Sequence, residues 1–194
     1  MHKLGLILFF CASTVCAQTW TPPAEVNSET VKINFQVDST WHLIEGEVPN
    51  VSGRIWLERK SDPTSIRGDL KAEVAAFDTD NGSRDKELRH VMDAEQFPVV
   101  SMVISGFSGE PCSPIKVEKT GECKGLLKAK ITIRDVSKDI ELPYLVRRDG
   151  GSYDVKGEFS LRWADFGVED PSILVAKLDD TVKIKYVMKM LRVE

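Results

Sequence analysis

The sequence predicts an all-β chain, an extended antiparallel barrel of about eight strands with one short helix between strands. Three observations carry this expectation. Apolar side chains recur with a period of two through most of the chain, which is the signature of strands with one buried face. The links between these runs are short and built from turn residues. Only one stretch carries a clear helical pattern with a start and a stop.

Taken in order, Val31, Ile33, Phe35 and Val37 alternate with Lys32, Asn34 and Gln36. Ile55 and Leu57 follow Gly53, and a long run from Ile66 to Ala76 alternates with Arg67, Asp69, Lys71 and Glu73. Val100, Met102 and Ile104 come next, then Leu127, Ala129, Ile131 and Ile133 set against Lys128, Lys130, Thr132 and Arg134. Three more runs complete the set, over Ile140–Val146, Tyr153–Leu161 and Val182–Met190. Asp149-Gly150-Gly151 has the composition of a tight hairpin turn, and Arg134–Lys138 is a second short link. Between the third and fourth runs, Arg84–Met92 places Leu88, Val91 and Met92 on one face, with Ser83 as N-cap and Pro98 beyond. A second short helix is expected near Pro171–Val175. Strands apolar on one face must bury those faces against each other. Closure into a barrel does so and removes exposed edges; a two-sheet sandwich is the alternative.

Residues 1–17 read as a secretory leader: a short polar start, the apolar run Leu4–Phe10, and small residues ending Val15-Cys16-Ala17. The apolar run is far shorter than the ~20 residues of a membrane-spanning helix. Cleavage after Ala17 leaves an N-terminal extension, 18–29, and one domain, 30–194. Val15 and Ser13 do not suit a lipid-modified Cys16. Two of the four cysteines, Cys112 and Cys123, fall outside the leader in a Gly- and Pro-rich loop, which suggests a disulfide in an exported protein, free thiols being the alternative. The formal charge of −4 and the lack of any basic cluster beyond Arg147-Arg148 argue against a nucleic-acid partner.

Catalytic chemistry finds little to rest on. Of three histidines, His42 and His90 remain after the leader, and neither has a ligand-spaced partner. Asp85, Glu87 and His90 share the helix, but charged helix residues are ordinarily solvated, and no metal is expected. No Gly-x-Ser-x-Gly, reactive cysteine or phosphate loop is present. Asp165-Phe166-Gly167 matches a kinase triplet without the other kinase signatures. What stands out is the apolar face on nearly every strand. An eight-stranded barrel either fills with side chains or holds one small ligand, and alternation alone does not decide between them. Gly68, Ala72, Ala129 and Gly157 are small inward residues that would leave room.

The stretch Asp78–Pro98 resembles the YceI-like family, through Thr79, Asn81, Arg84, Asp85, Leu88, Phe97 and Pro98. Gly125–Leu142 and Asp165-Phe166-Gly167 also resemble segments of that family, so that the likeness runs from about Thr30 to Val193. Asp135 stands where the family often has glycine, and the cysteine pair is not a general family feature. The resemblance implies a lipocalin-like barrel enclosing a long apolar molecule, a polyisoprenoid or an isoprenoid quinone, in a periplasmic or secreted protein. It implies binding for storage, transport or stress protection rather than catalysis, with no cofactor beyond such a lipid. The alternative is a filled-core barrel serving as a structural or interaction protein.

By shared parity, the residues expected to line the tunnel are Phe35, Leu70, Val74, Met102, Ile104, Ile131, Ile133, Leu142, Phe159, Leu161, Ile184 and Met188. Asn81, Arg84 and Asp85 are the candidates for headgroup contacts. The expected partner is an apolar small molecule, with no nucleic acid and no transmembrane segment, in a monomer or homodimer.

Overall fold

The computed structural model describes residues 25–59, 62–112, 114–149, 152–170 and 177–191. The expected leader (1–17), the expected helix near 171–175 and the Gly150-Gly151 turn lie outside the described residues. Among the described residues nine strands form one sheet: β1 (Val31–Ser39), β2 (Leu43–Glu47), β3 (Val51–Leu57), β4 (Ile66–Glu73), β5 (Val99–Ser108), β6 (Glu122–Ile133), β7 (Val136–Asp149), β8 (Ser152–Arg162) and β9 (Leu178–Leu191). The spatial order is β2-β1-β9-β8-β7-β6-β5-β4-β3, and every ladder is antiparallel. Helix α1 (Gly82–Val91) lies between β4 and β5, and α2 (Pro114–Thr120) between β5 and β6.

The strand beyond the expected eight is β2. It is short, and its alternation is interrupted by Gly46 and by Pro49 just past its end. Directions along the sheet alternate, so β2 and β3 run the same way. They form one bent course of chain that changes partner at Pro49. Before the bend, β2 pairs with β1, and Val48 N–H still donates to Ile33 C=O at 2.9 Å. After it, Asn50 C=O accepts from Glu73 N–H at 3.3 Å and β3 pairs with β4. Proline has no N–H to contribute to either ladder, so it suits the switch point. Because this one course holds both ends of the sheet, the sheet curls into a barrel. Single bridges from Val26 to Gly53 and from Glu47 to Asp78 reinforce the closure. Val26 is 2 % exposed, so the residues just before β1 also pack into the core.

The helices differ from expectation in detail. The cap of α1 is Asn81, not Ser83: its side chain accepts from the N–H groups of Ser83 and Arg84, both at 3.1 Å. Helix α1 ends at Val91, well before Pro98. Helix α2 was not anticipated, because a seven-residue helix shows too little periodicity to stand out. The expected Arg134–Lys138 link is tighter: Ile133 pairs with Val136, leaving Arg134-Asp135 as a two-residue turn, with Arg134 at φ 54°.

One ladder is incomplete. β7 and β8 pair only between Leu145–Asp149 and Ser152–Lys156, so the upper parts of the two strands splay apart above Pro143. A second apolar cluster occupies the splay. It joins Ile140 and Val136 of β7 and Leu161 of β8 to Val74, Val91, Met92, Ile131, Phe166 and Val168. Asp165-Phe166-Gly167 is therefore structural. Phe166 is 2 % exposed, and Gly167 takes φ 67° to end the 3-10 turn Trp163–Phe166.

Candidate functional site

The inward faces of the strands enclose a cavity of about 760 Å³, in the range of pockets that bury whole organic ligands. All the residues expected to line the tunnel do line it, except Val74. Leu70, Met102, Phe159 and Ile184 are only half-buried, although they point inward from the strands. They pack against buried neighbours on one side and present the rest of their surface to the open lumen, which is what separates a hollow barrel from a filled one.

Val74 is a correction. The alternation from Ile66 to Ala76 reads as one strand, but β4 ends at Glu73 and Val74–Ala76 is a 3-10 turn. The turn removes Val74 from the inward row and buries it, at 1 % exposure, in the second cluster. Its N–H donates to Pro98 C=O at 2.9 Å, tying the entrance of α1 to the start of β5.

Aromatic residues absent from the expected set also face the lumen: Phe107, Tyr144, Tyr186 and Trp41. Phe107 was hidden by a break in parity, because the β5 ladder slips between Ile104 and Gly106. Tyr144 and Tyr186 sit on the inward parity of β7 and β9 and were legible there. The two tyrosines follow a shared pattern with Phe35. Each lies directly across a ladder from a glycine: Phe35 from Gly46, Tyr144 from Gly125, Tyr186 from Gly157. A methyl group on any of these glycines would sit 2.2 Å from the Phe35 ring, 2.5 Å from the Tyr144 hydroxyl, or 2.7 Å from the Tyr186 ring. The rings thus lie flat against the wall. The space left by Gly157 is occupied by the ring opposite, not available to a ligand as its size alone suggests. The same holds for Gly68, which Ile104 and Ile55 cover.

The two ends of the lumen differ. At one end Phe107, Tyr144, Val146 and Val155 form a floor, closed from below by α2 and the Cys112–Cys123 disulfide. Val117 of α2 is 3 % exposed, and Cys112 N–H donates to the Tyr144 hydroxyl at 3.2 Å. Burial raises the Tyr144 pKa above the ordinary tyrosine value, opposed in part by that bond. Tyr186 is raised further, by burial first and by the neighbouring Tyr144 second, and its hydroxyl donates to Pro143 C=O at 2.6 Å.

At the other end the lining comes from the β1–β2 turn (Ser39, Trp41, His42) and from α1 (Asn81, Ser83, Arg84, Glu87), most of it exposed. This is the mouth, and the polar lining is concentrated here. The Arg84 guanidinium does not pair with Asp85; it donates through Nε to Thr79 Oγ1 (2.9 Å) and through an Nη to Thr79 C=O (2.6 Å). Asp85 is buried away from the lumen, where its carboxylate accepts from Thr79 N–H (2.9 Å) and Thr79 Oγ1 (2.5 Å). So Asn81 and Arg84 stand at the mouth, while Asp85 does not and instead holds Thr79, which holds Arg84. The expectation for Asp85 fails because an acidic residue in the first turn of a helix finds backbone donors nearby. Among the described residues no group of His, Cys, Asp and Glu side chains converges to hold a metal, and no helix is long and apolar enough to cross a membrane.

The curled antiparallel sheet has counterparts among known proteins. A family model described as YceI-like domain matches residues 25–190. The chain belongs to the YceI-like family. Among solved structures, Burkholderia cenocepacia BcnA superposes with a TM-score of 0.67 at 17 % identity, over 82 % of this chain and 95 % of that one. A polyisoprenoid binding domain from Saccharophagus degradans, implicated in plant cell wall breakdown, gives 0.64 at 13 % identity, over 88 % and 99 %. The Campylobacter jejuni YCEI protein gives 0.60 at 18 % identity, over 78 % and 86 %. These likenesses establish the YceI barrel as the fold of the chain. Among curated proteins none matches significantly.

Proposed function

We propose that this YceI-like protein is an exported, non-catalytic carrier of a long apolar molecule of the polyisoprenoid or isoprenoid-quinone type. The lumen holds the ligand for storage, transport or stress protection. The observation that carries the reading is the lumen itself: about 760 Å³, walled by inward strand faces on which Leu70, Met102, Phe159 and Ile184 keep exposed surface, floored at one end and, among the described residues, open at the other. Family membership supports the same reading, and the Saccharophagus degradans relative is described as polyisoprenoid binding. The Cys112–Cys123 disulfide fits an oxidising, extracytoplasmic compartment.

Burial of ~400 Å² of ligand apolar surface is worth ~10 kcal/mol at 25 cal/mol/Å². Loss of ligand freedom opposes this with ~4–15 kcal/mol. A rigid, preformed lumen keeps the opposing part small, which favours retention. The chain lies inside and the polar end sits at the mouth, where Asn81 and Arg84 offer headgroup contacts. Asp85 contributes by fixing Thr79 and through it Arg84.

The test is mass spectrometry of organic extracts from protein purified from its native host, for the wild type and for Met102→Glu. Met102 is half-buried and faces the lumen midway along β5. An isoprenoid lipid in stoichiometric amount with the wild type, reduced at least tenfold in the folded variant, is the expected result. Equal lipid in both, or none in the wild type together with no binding of an apolar dye, overturns the reading.

A further inference from the structure

We propose that the tip of the β1–β2 hairpin docks the mouth of the lumen onto a lipid bilayer with zwitterionic headgroups. The inference rests on the carrier reading above, and it adds where the cargo is exchanged. The tip, Ser39–His42, is held rigid from two sides. Within the turn, Ser39 N–H donates to His42 C=O and His42 N–H donates to Ser39 Oγ, both at 3.2 Å. From the start of the neighbouring strand β9, Lys177 C=O accepts from Thr40 N–H at 2.9 Å and Lys177 N–H donates to Thr40 Oγ1 at 3.0 Å. On this fixed tip Trp41 is 71 % exposed, and Leu43, the first residue of β2 beside it, is 45 % exposed. Among the described residues the other large exposed apolar side chains, Val103 and Val187, sit singly on the middle of outer strand faces.

A rigid turn that presents a tryptophan to solvent has the composition of a bilayer-interface anchor, since the indole is apolar with one polar N–H. Its place is what gives it a function. Trp41 and His42 line the mouth, so the anchor and the opening are continuous. A long apolar cargo leaving through this mouth into water would expose its whole surface, whereas one leaving into a bilayer would not. The charge around the tip selects the kind of bilayer. Asp38 lies directly across the ladder from Leu43, Glu45 follows on the same outer face, Glu87 stands on the opposite rim, and the chain as a whole carries −4. Against these carboxylates stand Arg84 and Lys71 in the lining and Lys177 beside the tip. Without an excess of cations at the mouth, an anionic membrane gains no added attraction, and attraction by apolar insertion is insensitive to salt.

The experiment uses the purified full-length protein and vesicles of phosphatidylcholine, with and without a third of phosphatidylglycerol. Partition is read by flotation, and insertion by quenching of tryptophan fluorescence in brominated phosphatidylcholine, with Trp41→Phe to identify the quenched signal. The variant is Leu43→Asp, whose side chain lies outside the lumen lining. Uptake of an apolar dye from water is measured alongside. The expected result is partition to phosphatidylcholine that phosphatidylglycerol does not strengthen, a quenched fraction lost in Trp41→Phe, and at least fivefold weaker partition for Leu43→Asp with unchanged dye uptake. Wild-type protein that takes up dye but stays off phosphatidylcholine vesicles, or equal partition by Leu43→Asp, overturns the docking proposal. Failure of the wild type to take up dye sinks the carrier reading instead.

Discussion

Removing the Cys112–Cys123 disulfide gives a prediction whose size follows from the chain alone. The bridge spans a sequence separation of 11 residues. The loop-closure entropy it removes from the unfolded chain is worth about 3 kcal/mol at 25 °C. For a domain of this size, about 2–4 °C of Tm accompanies each kcal/mol, so the bridge contributes about 6–12 °C. Both cysteines are buried, and α2 between them places Val117 in the core, so the native packing around the floor does not depend on the sulfur–sulfur bond. The loss should therefore fall on stability and leave the fold unchanged. Cys112→Ala with Cys123→Ala, compared with the oxidised and the dithiothreitol-reduced wild type by urea unfolding, measures it. The reduced protein and the double variant should agree within about 1 kcal/mol, the small difference reflecting the lost sulfur atoms. A double variant as stable as the oxidised protein would refute the reasoning, because it would mean the loop is already constrained in the unfolded chain.

Other expectations are independent of the disulfide. Tyr186 is held protonated above the ordinary tyrosine value of 10.0, and burial favours its neutral form. The stability this contributes is complete below pH 10 and is lost as pH rises from there toward the folded value; alkaline absorbance titration should show a tyrosine that ionises only on unfolding, absent in Tyr186→Phe. That substitution also removes the hydroxyl from Pro143 C=O and should cost about 1–3 kcal/mol in urea unfolding. Gly167→Ala should cost about 1–2 kcal/mol, from the left-handed backbone alone, since the added methyl meets nothing within 4 Å. Asp85→Ala removes the one oxygen, Oδ1, that accepts from both Thr79 donors and should lower stability by about 1.5–3 kcal/mol as read by thermal unfolding; a neutral effect would mean that Thr79 finds other partners.

The barrel was legible because its determinant is simple: a period of two over eight runs, with short links, leaves one economical way to bury the apolar faces. What was illegible is instructive. Strand β2 hides beside Pro49, where the sequence looks like a strand break, yet that proline marks the place where one course of chain trades β1 for β4. Val74 continues the alternation of β4 perfectly, and only the 3-10 turn that leads into α1 removes it from the lumen. Phe107 is displaced from the expected parity by a slip in the ladder at Gly106, a local event with no periodic trace. Of the mouth, Asn81 and Arg84 were visible through the YceI-like motif, but Trp41 and His42 were not, since a turn between two strands carries no pattern that marks it as a rim. Such residues are brought to the site by closure of the sheet, a relation between distant segments.

Closure alone does not make a container. A barrel of this size stands at the boundary between a packed interior and a hollow one, and its apolar content is compatible with either. What tips the balance here is the placement of large residues opposite small ones. Phe35, Tyr144 and Tyr186 would each, if opposed by an ordinary side chain, be driven off the wall and into the centre. Facing Gly46, Gly125 and Gly157, they lie down across the neighbouring strand instead. Each pair trades a ring in the lumen for a ring in the wall, so the aromatic surface still contributes apolar burial and a lining while the volume stays open. The Tyr186 hydroxyl extends this by reaching past Gly157 to Pro143 C=O, and so bridges β9 to β7 at the point where the β7–β8 ladder stops. The glycines in this barrel are thus part of its cavity because of what they let their partners do. Their cross-strand pairing, rather than the overall count of small residues, is the feature of this sequence that forecasts a lumen.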